Sequence, residues 1–364
     1  MSLPTPRPGI MDIAPYIGGD SNIPGVTRVI KLASNEGALG PSPKAVEAYK
    51  AMALELHRYP DGSCKALREA LAARYGLDAA RIVCGAGSDE LLGMLCRAYA
   101  GPGDEVLYSK HGFLMYPIAA KSCGATPVSA PETNLTTNVD ALLAAVTDKT
   151  KICFVANPNN PTGSYITADE MKRLRNGLPE HVLLVIDAAY AEFVTRNDYS
   201  SGVELVEANK NTVMARTFSK IHALGSVRLG WAYCSTEIAD VLNRVRNPFN
   251  VSAPAQAAGL AALADEPFTE LNRAHNEVWL PWLAEKLAEL GLKTHPSVCN
   301  FLLIEFPADP ARNADAADKF LLSKGIIGRK MGGYGLPQCL RITIGRDDEM
   351  RAVVENLALF MGKA

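Results

Sequence analysis

Apolar positions along this chain recur with helical spacing in some stretches and as short unbroken runs in others. Residues 42–56, "SPKAVEAYKAMALEL", and 64–77, "CKALREALAARYGL", read as amphipathic helices, the second closed by the glycine after Tyr75. "RIVCGAG" reads as a strand running into a glycine turn, followed by the helix "SDELLGMLCRAYA". "DEVLYS", "TPVSA", "KICFVANP" and "HVLLVIDAAY" are further strands, the last two apolar throughout, as parallel strands covered on both faces tend to be. "TVMARTFS" and "LGWAYCS" add two more, so residues of about 80–235 predict a mainly parallel, seven-stranded α/β sheet between helices. After "NPFNVSAPAQ" the texture changes. A long helical stretch from Pro254 to Leu290, interrupted around Pro267 and Pro281, leads to the strands "VCNFLLIEF" and "QCLRITIG", which flank the helix "NADAADKFLLSKG". The expected organisation is an extended arm over 1–35, a large domain over 36–255, and a linking helix with a smaller α+β domain over 256–364.

Composition narrows the function classes. A chain of 364 residues has room for one large and one smaller domain. A net charge of −2 gives no reason to expect nucleic acid or an anionic membrane as partner, and no apolar run approaches the length of a bilayer span. The start, "MSLPTPRPGIMDIAPYIGG", is rich in proline and glycine and lacks the apolar core of a secretion signal. The eight cysteines form no CxxC pair and several sit in apolar runs, which predicts reduced core thiols and a cytoplasmic protein. The six histidines are scattered, so no metal site is expected.

Ligands in open α/β sheets bind beyond the carboxyl ends of the strands, and polar motifs fall at those ends. In "CGAGSDE", residues 84–90, a strand turns through glycines into a helix, with Ser88 as candidate N-cap; such a helix start suits an anion, though any capped turn looks alike. "ANPNNPTG", residues 156–163, makes a rigid turn that can hold a side-chain amide, or an ordinary loop. Asp187 ends the run "HVLLVID", where a carboxylate is costly unless it is paired, caps a helix or faces a cationic ring nitrogen. Lys220 follows Ser219 in a turn otherwise built from apolar and small residues, with Arg228 eight residues on. A lysine that forms an imine spends time as a neutral amine, which burial and nearby cations favour. Anion cradle, amide, carboxylate and amine together match the phosphate, phenolic oxygen, ring nitrogen and aldehyde of pyridoxal phosphate.

In these motifs the chain resembles the fold-type I pyridoxal-phosphate aminotransferases, and among them the histidinol-phosphate aminotransferase family. The likeness runs in order through "DIAPYIGG", "KLASNEGALGPSP", "HRYPDG", "GAGSDELL", "NPNNPTG", "DAAYAEF", "RTFSKIHALGSVRLGW", "NPFNV" and "LRITIG". It implies an aspartate-aminotransferase-like fold and pyridoxal 5'-phosphate as cofactor. Lys220 would form the imine and carry protons, and Asp187 would hold the ring nitrogen protonated. Asn160 and Tyr190 would hydrogen-bond the phenolic oxygen. Ala86, Gly87 and Ser88, with Ser219 and Arg228, would bind the phosphate, and Phe113 would stack on the ring. Arg341 would bind a substrate carboxylate. Tyr16, Asn35 and Arg329 would line the substrate pocket, Arg329 meeting the substrate phosphate or a glutamate carboxylate. Tyr59 would reach the cofactor phosphate of a neighbouring subunit in a homodimer.

The implied reaction moves the amino group of histidinol phosphate to 2-oxoglutarate in histidine biosynthesis. The same scaffold also serves phenylalanine and tyrosine aminotransferases and, with other chemistry, threonine-phosphate decarboxylases. Where the family has "NENP", "DEAY" and "SKAYGLAG", this chain has "NEGA", "DAAY" and "SKIHALGS", and Leu114 stands where a small polar residue is common. These departures change Gly37, Ala38, Ala188 and the surroundings of Lys220, where His222 is either packing or a substrate contact.

Overall fold

The computed structural model describes residues 4–26 and 28–363; the first three residues of the expected arm, Thr27 and Ala364 lie outside it. The seven expected strands form one sheet: β1 (Ile82–Gly85), β2 (Glu105–Ser109), β3 (Thr126–Ala130), β4 (Thr150–Ala156), β5 (Leu183–Asp187), β6 (Thr212–Thr217) and β7 (Gly230–Tyr233). Their spatial order is β1-β7-β6-β5-β4-β2-β3. Every pairing is parallel except those of β7, which runs antiparallel to both β1 and β6. All residues of β5 and β6 are buried, as central strands covered on both faces must be. Ala156, Asp187 and Ala215 lie in register across β4, β5 and β6, so the ends of three strands open at one edge.

The smaller unit holds an antiparallel sheet of β8 (Lys293–His295), β9 (Phe301–Glu305), β10 (Arg329–Lys330) and β11 (Cys339–Thr343), in the order β8-β9-β11-β10. Its core includes Leu302, Ile304, Leu340 and Ile342 with Leu321 and Leu357 from two helices. Ile30 and Leu32 belong to this core as well, and Ile30–Lys31 pairs parallel with Ile326–Ile327. The chain thus enters through the small unit before building the large one.

The long helical stretch departs from the pattern expected at its prolines. It breaks once, at Asp265, between the helices Ala253–Ala264 and Glu266–Glu289. Pro267 sits in the first turn of the second helix, where its missing N–H costs nothing, and Pro281 lies inside a continuous helix. Leu283 and Leu287, two and six residues on, are fully buried in the small core, and that packing opposes the cost of an internal proline. Ala258 and Ala262 of the first helix pack in the large unit with Leu67 and Trp231. We therefore place the passage between the units at Asp265. The helix Ser88–Tyr99 starts at Ser88 itself, with Gly87 in the cap position and no side-chain cap, contrary to the expected role of Ser88.

Candidate active site

At the strand edge a cavity of about 300 Å³ opens between the two units. Its wall carries Asp187, Tyr190, Asn160, Phe113, Ser88, Ser219, Lys220 and Arg228 from the large unit. Arg329 and Arg341 come from the small unit, and Tyr16 and Asn35 from the N-terminal segment. Residues spread over more than 300 positions of sequence are thus brought to one surface.

Asp187 is buried at the end of β5, and Tyr116 donates its hydroxyl to Oδ2 at 2.9 Å, while Oδ1 has no partner. Burial pushes its carboxyl up to about 6, against the lowering effect of the Tyr116 hydrogen bond. An acceptor oxygen left open at such depth suits a cationic N–H donor. Burial also raises the Tyr190 phenol, whose oxygen accepts from Asn35 Nδ2 at 2.8 Å.

Lys220 donates from Nζ to the Ser34 carbonyl at 3.1 Å and lies 5.7 Å from the centre of the Tyr190 ring. Its amine is lowered to about 8, first by burial and then by the positive charge of Arg341; Arg228 contributes less. The cation that matters most to this lysine therefore comes from the other unit of the fold, 121 residues along the chain. Arg341 is itself buried, donating from Nη2 to the Ala33 carbonyl at 2.7 Å and from Nη1 to Asn160 Oδ1, with Nε unpartnered. Segment 33–36 is the hub of this corner. Its backbone and Asn35 side chain meet Arg341, Lys220 and Tyr190, and Asn300 Nδ2 donates to the carbonyls of Asn35 and Glu36.

Arg228 marks another corner. Nη1 donates to the Gly225 carbonyl at 3.0 Å and lies 3.5 Å from Ser219 Oγ, and Nη2 pairs with Asp89 at 3.1 Å. Gly87, at φ 85°, is required here: a Cβ on it would stand 2.3 Å from Arg228 Nη2. Neither Ala86 nor Gly87 supplies a free amide, contrary to expectation, because Ala86 N–H donates to Glu90 and Gly87 N–H to the Gly85 carbonyl. The open amides are those of the helix start, from Ser88 onward.

Arg329 donates from Nη2 to the Ile17 carbonyl at 2.6 Å, holding the N-terminal segment over the cavity mouth beside Tyr16. Tyr59, expected to serve a neighbouring subunit, and His222, expected as either packing or a substrate contact, both lie off this wall. Tyr59 is 83% exposed, away from this cavity, stacked on Phe249 with ring centres 4.7 Å apart. His222 is buried off the wall, stacked on Phe218 at 5.0 Å, and burial with the Arg216 charge lowers it to about 3, so it is neutral packing. Sequence reasoning missed Tyr116, Ser34, Asp89 and Tyr334. Tyr116 stands three residues after Phe113 in "HGFLMYP", a spacing that presents both rings on one side of a helical turn. Ser34 contributes only a carbonyl, which leaves no signal. Among the described residues no cluster of side chains could hold a metal ion, and no helix is long and apolar enough to cross a membrane.

A parallel-rich sheet with a lysine, an open carboxylate oxygen and several arginines beyond the ends of its strands is an arrangement suited to an aminotransferase. The model of the family "Aminotransferase class I and II" matches residues 27–357, and the chain belongs to that family. Within it the chain sits among the histidinol-phosphate aminotransferases. The enzyme of that name from Paramagnetospirillum magneticum is 69% identical over 362 residues, covering 100% of both chains. The crystal structure of histidinol-phosphate aminotransferase from Sinorhizobium meliloti, in complex with pyridoxal-5'-phosphate, superposes with a TM-score of 0.89 at 28% identity, covering 99% of this chain and 98% of that one. An aspartate aminotransferase from Thermus thermophilus, a double mutant, shares the fold at a TM-score of 0.81 and 23% identity, over 91% of each chain.

The residues present fit pyridoxal phosphate. The open Oδ1 of Asp187 asks for a buried N–H donor, the helix start with Arg228 and Ser219 asks for an anion, and Lys220 offers an amine that loses its proton readily.

Proposed function

We propose that this protein is a pyridoxal-phosphate-dependent aminotransferase that moves the amino group of histidinol phosphate to 2-oxoglutarate, giving imidazole acetol phosphate and glutamate. The observation that carries the reading is one cavity holding both an amine lowered to about 8 and a buried carboxylate with an open oxygen. Pyridoxal phosphate, when bound, supplies the carbonyl that receives the amino group and the ring that takes up an electron pair. Asp187 holds the ring nitrogen protonated through Oδ1, while Tyr116 fixes the carboxylate through Oδ2. Asn160 and Tyr190 would hold the phenolic oxygen, and Phe113, on the same wall, would pack against the ring. Arg228, Ser219 and the amides from Ser88 hold the phosphate.

Lys220 is the base. With an amine near 8, a useful fraction is neutral at physiological pH, so Nζ can take the proton from the amine-bearing carbon of the substrate and would carry it past the nitrogen to the carbon on its other side, the one the cofactor supplies. Ser34 orients that amine through its carbonyl.

Both substrates are anions of different shape. 2-Oxoglutarate carries two carboxylates, whereas histidinol phosphate carries a phosphate ester next to its amine-bearing carbon and no carboxylate. Arg341 and Arg329, both on the wall, give two cationic anchors, and the bidentate fork of arginine accepts either anion. Tyr16 and Tyr334 add aromatic surface for the imidazole. The exposed Tyr59 is read as the part of the chain that completes a neighbouring subunit's site in a homodimer, and eight buried free cysteines support a cytoplasmic location.

The test is kcat/KM with 2-oxoglutarate as acceptor. Histidinol phosphate is expected to exceed phenylalanine and tyrosine by at least about tenfold, since a phosphate dianion offers the two arginines on the wall more charge and more acceptor oxygens than a single carboxylate does. Comparable values for phenylalanine would sink the substrate assignment and leave the aminotransferase; carbon dioxide release from threonine phosphate would sink both.

A further inference from the structure

The phosphate corner contains a charge of the wrong sign. Asp89 stands on the cavity wall one residue after Ser88, in the first turn of the helix Ser88–Tyr99, and its Oδ2 pairs with Arg228 Nη2 at 3.1 Å. Arg228 is the guanidinium closest to the open helix amides, and Gly87 lacks a side chain where that guanidinium passes. One arm of the guanidinium, Nη1, is held by the Gly225 carbonyl and Ser219 Oγ, and the backbone of Arg228 is left-handed at φ 57°. Only the other arm, Nη2, meets Asp89. Yet the carboxylate occupies one edge of the guanidinium fork, the geometry a phosphate would use. A dianion entering this corner meets both the attraction of Arg228 and the helix start and the repulsion of Asp89.

We propose that Asp89 is a built-in counter-anion that sets the affinity of the phosphate corner. It neutralises Arg228 in the unloaded chain, weakens the hold on any free phosphate or phosphate monoester, and so reserves the corner for a ligand that is also held through Lys220 and Asp187. Such discrimination has a use in this cavity, because on the reading above the substrate is itself a phosphate monoester and could otherwise lodge in the cofactor's place. The inference rests on the assignment of this corner to the cofactor phosphate. The repulsion falls alike on every phosphate ligand, so at low concentration only one with further anchors stays bound.

The experiment compares the full-length wild type with Asp89→Asn, Asp89→Glu and Arg228→Ala. Binding of inorganic phosphate to the unloaded protein is measured by calorimetry, and cofactor loss from the loaded protein is followed by absorbance after dilution. Asp89→Asn is expected to tighten phosphate binding roughly tenfold and to slow cofactor loss by a similar factor, since one like charge within about 6 Å of a dianion is removed. Asp89→Glu restores the charge and is expected to stay within about threefold of wild type. Arg228→Ala is expected to weaken phosphate binding by at least about tenfold. Phosphate binding that is unchanged or weaker in Asp89→Asn overturns the counter-anion, and shows the carboxylate to be only a clamp on Arg228 or a helix-start charge. Unchanged binding in Arg228→Ala instead overturns the assignment of the corner, and the inference with it. Melting temperature without phosphate separates the two roles: if Asp89 is purely structural, Asp89→Asn lowers it and adding phosphate gives no greater gain than in wild type.

Discussion

A Cβ placed on Gly37 would stand 2.6 Å from the Cβ of Ala223. Both residues lie where the chain departs from its family, Gly37 in "NEGA" and Ala223 in "SKIHALGS", and the structure shows the two departures to be one. Ala223 adopts a left-handed backbone at φ 53°, the conformation that glycine takes without strain. Its methyl group has room only because position 37 has none. The neighbourhood matters for the site, since the same Gly37 Cβ would also stand 3.3 Å from the Lys220 carbonyl. Restoring the family residue with Gly37→Asn is expected to destabilise the fold by about 1–3 kcal/mol through overpacking. Ala223→Gly is expected to be close to neutral, because relief of the left-handed strain offsets added freedom of the unfolded chain. The pair together is expected to recover at least about 1 kcal/mol of the loss, a coupling that urea unfolding of the four proteins measures directly. Additive losses would refute the link.

Lys220 is held against its own ionisation, and stability should register it. In the unfolded chain a lysine titrates near 10.5, whereas in the cavity it titrates near 8. Between those values the unfolded chain binds more protons, so the stability of unloaded protein rises with pH across that window as far as this group is concerned. Below pH 8 the whole penalty stands. Lys220→Met removes it, and the unloaded variant is expected to be more stable than wild type at pH 7 by on the order of 1–3 kcal/mol. The advantage should shrink as pH climbs from 8 towards 10.5. Denaturant unfolding of both proteins at pH 7 and pH 10 checks the sign; an unchanged difference would show that burial does not depress this amine.

What was legible in the sequence and what was not divides along physical lines. Asp187 and Lys220 could be named because four polar motifs along the chain together match one cofactor, and the family resemblance assigned each its role. The strands and their parallel arrangement followed from unbroken apolar runs such as "HVLLVID", whose burial on both faces leaves a pattern in the residues themselves. Ser34 left no trace, because a backbone carbonyl is the same at every position. Arg341 could be assigned to substrate but not to the tuning of Lys220, which depends on how the small unit docks. Ala86 and Gly87 were misjudged because the turn that presents them also uses their N–H groups internally. Pro281 was read as a break because local geometry was weighed without the core that holds Leu283 and Leu287.

Tyr116 controls Asp187 and offers a separable test. Its ring lies flat against Phe154, with centres 4.7 Å apart and planes within 4°, and Tyr116→Phe preserves that stacking while deleting the hydroxyl. The hydroxyl lowers the Asp187 carboxyl, so its loss raises a group that burial already lifts to about 6. More of the carboxyl is then protonated at neutral pH, and the acid limb of kcat/KM is expected to move to higher pH. A shift of about one pH unit gives an expected loss of kcat/KM of roughly fivefold at pH 6 that narrows to about twofold at pH 7 and vanishes above it, with a stability cost of about 1–2 kcal/mol. Asp187→Asn should lose on the order of a thousandfold with no recovery at high pH, because no carboxylate remains to form. A pH-independent loss in Tyr116→Phe would mean that the hydroxyl positions Asp187 without tuning it.

Tyr59 carries the clearest consequence of the proposed homodimer. Leu54, Leu56 and Tyr59 are each more than 70% exposed on neighbouring turns, and Phe249 stacks beside Tyr59, an apolar grouping that a second copy of the chain would cover. If Tyr59 completes the partner's site, each cavity combines Lys220 of one chain with Tyr59 of the other. Two defective proteins, Lys220→Ala and Tyr59→Ala, should then rescue each other when co-expressed. In a mixed dimer one cavity carries both lesions and the other carries neither. Half of the dimers are mixed at equal expression, so about one quarter of all cavities become wild type. Activity near that fraction is expected, well above the sum of the two variants purified separately. If Tyr59 serves only its own chain, every cavity in the mixture keeps one lesion and no activity returns, whatever the oligomeric state found by sedimentation.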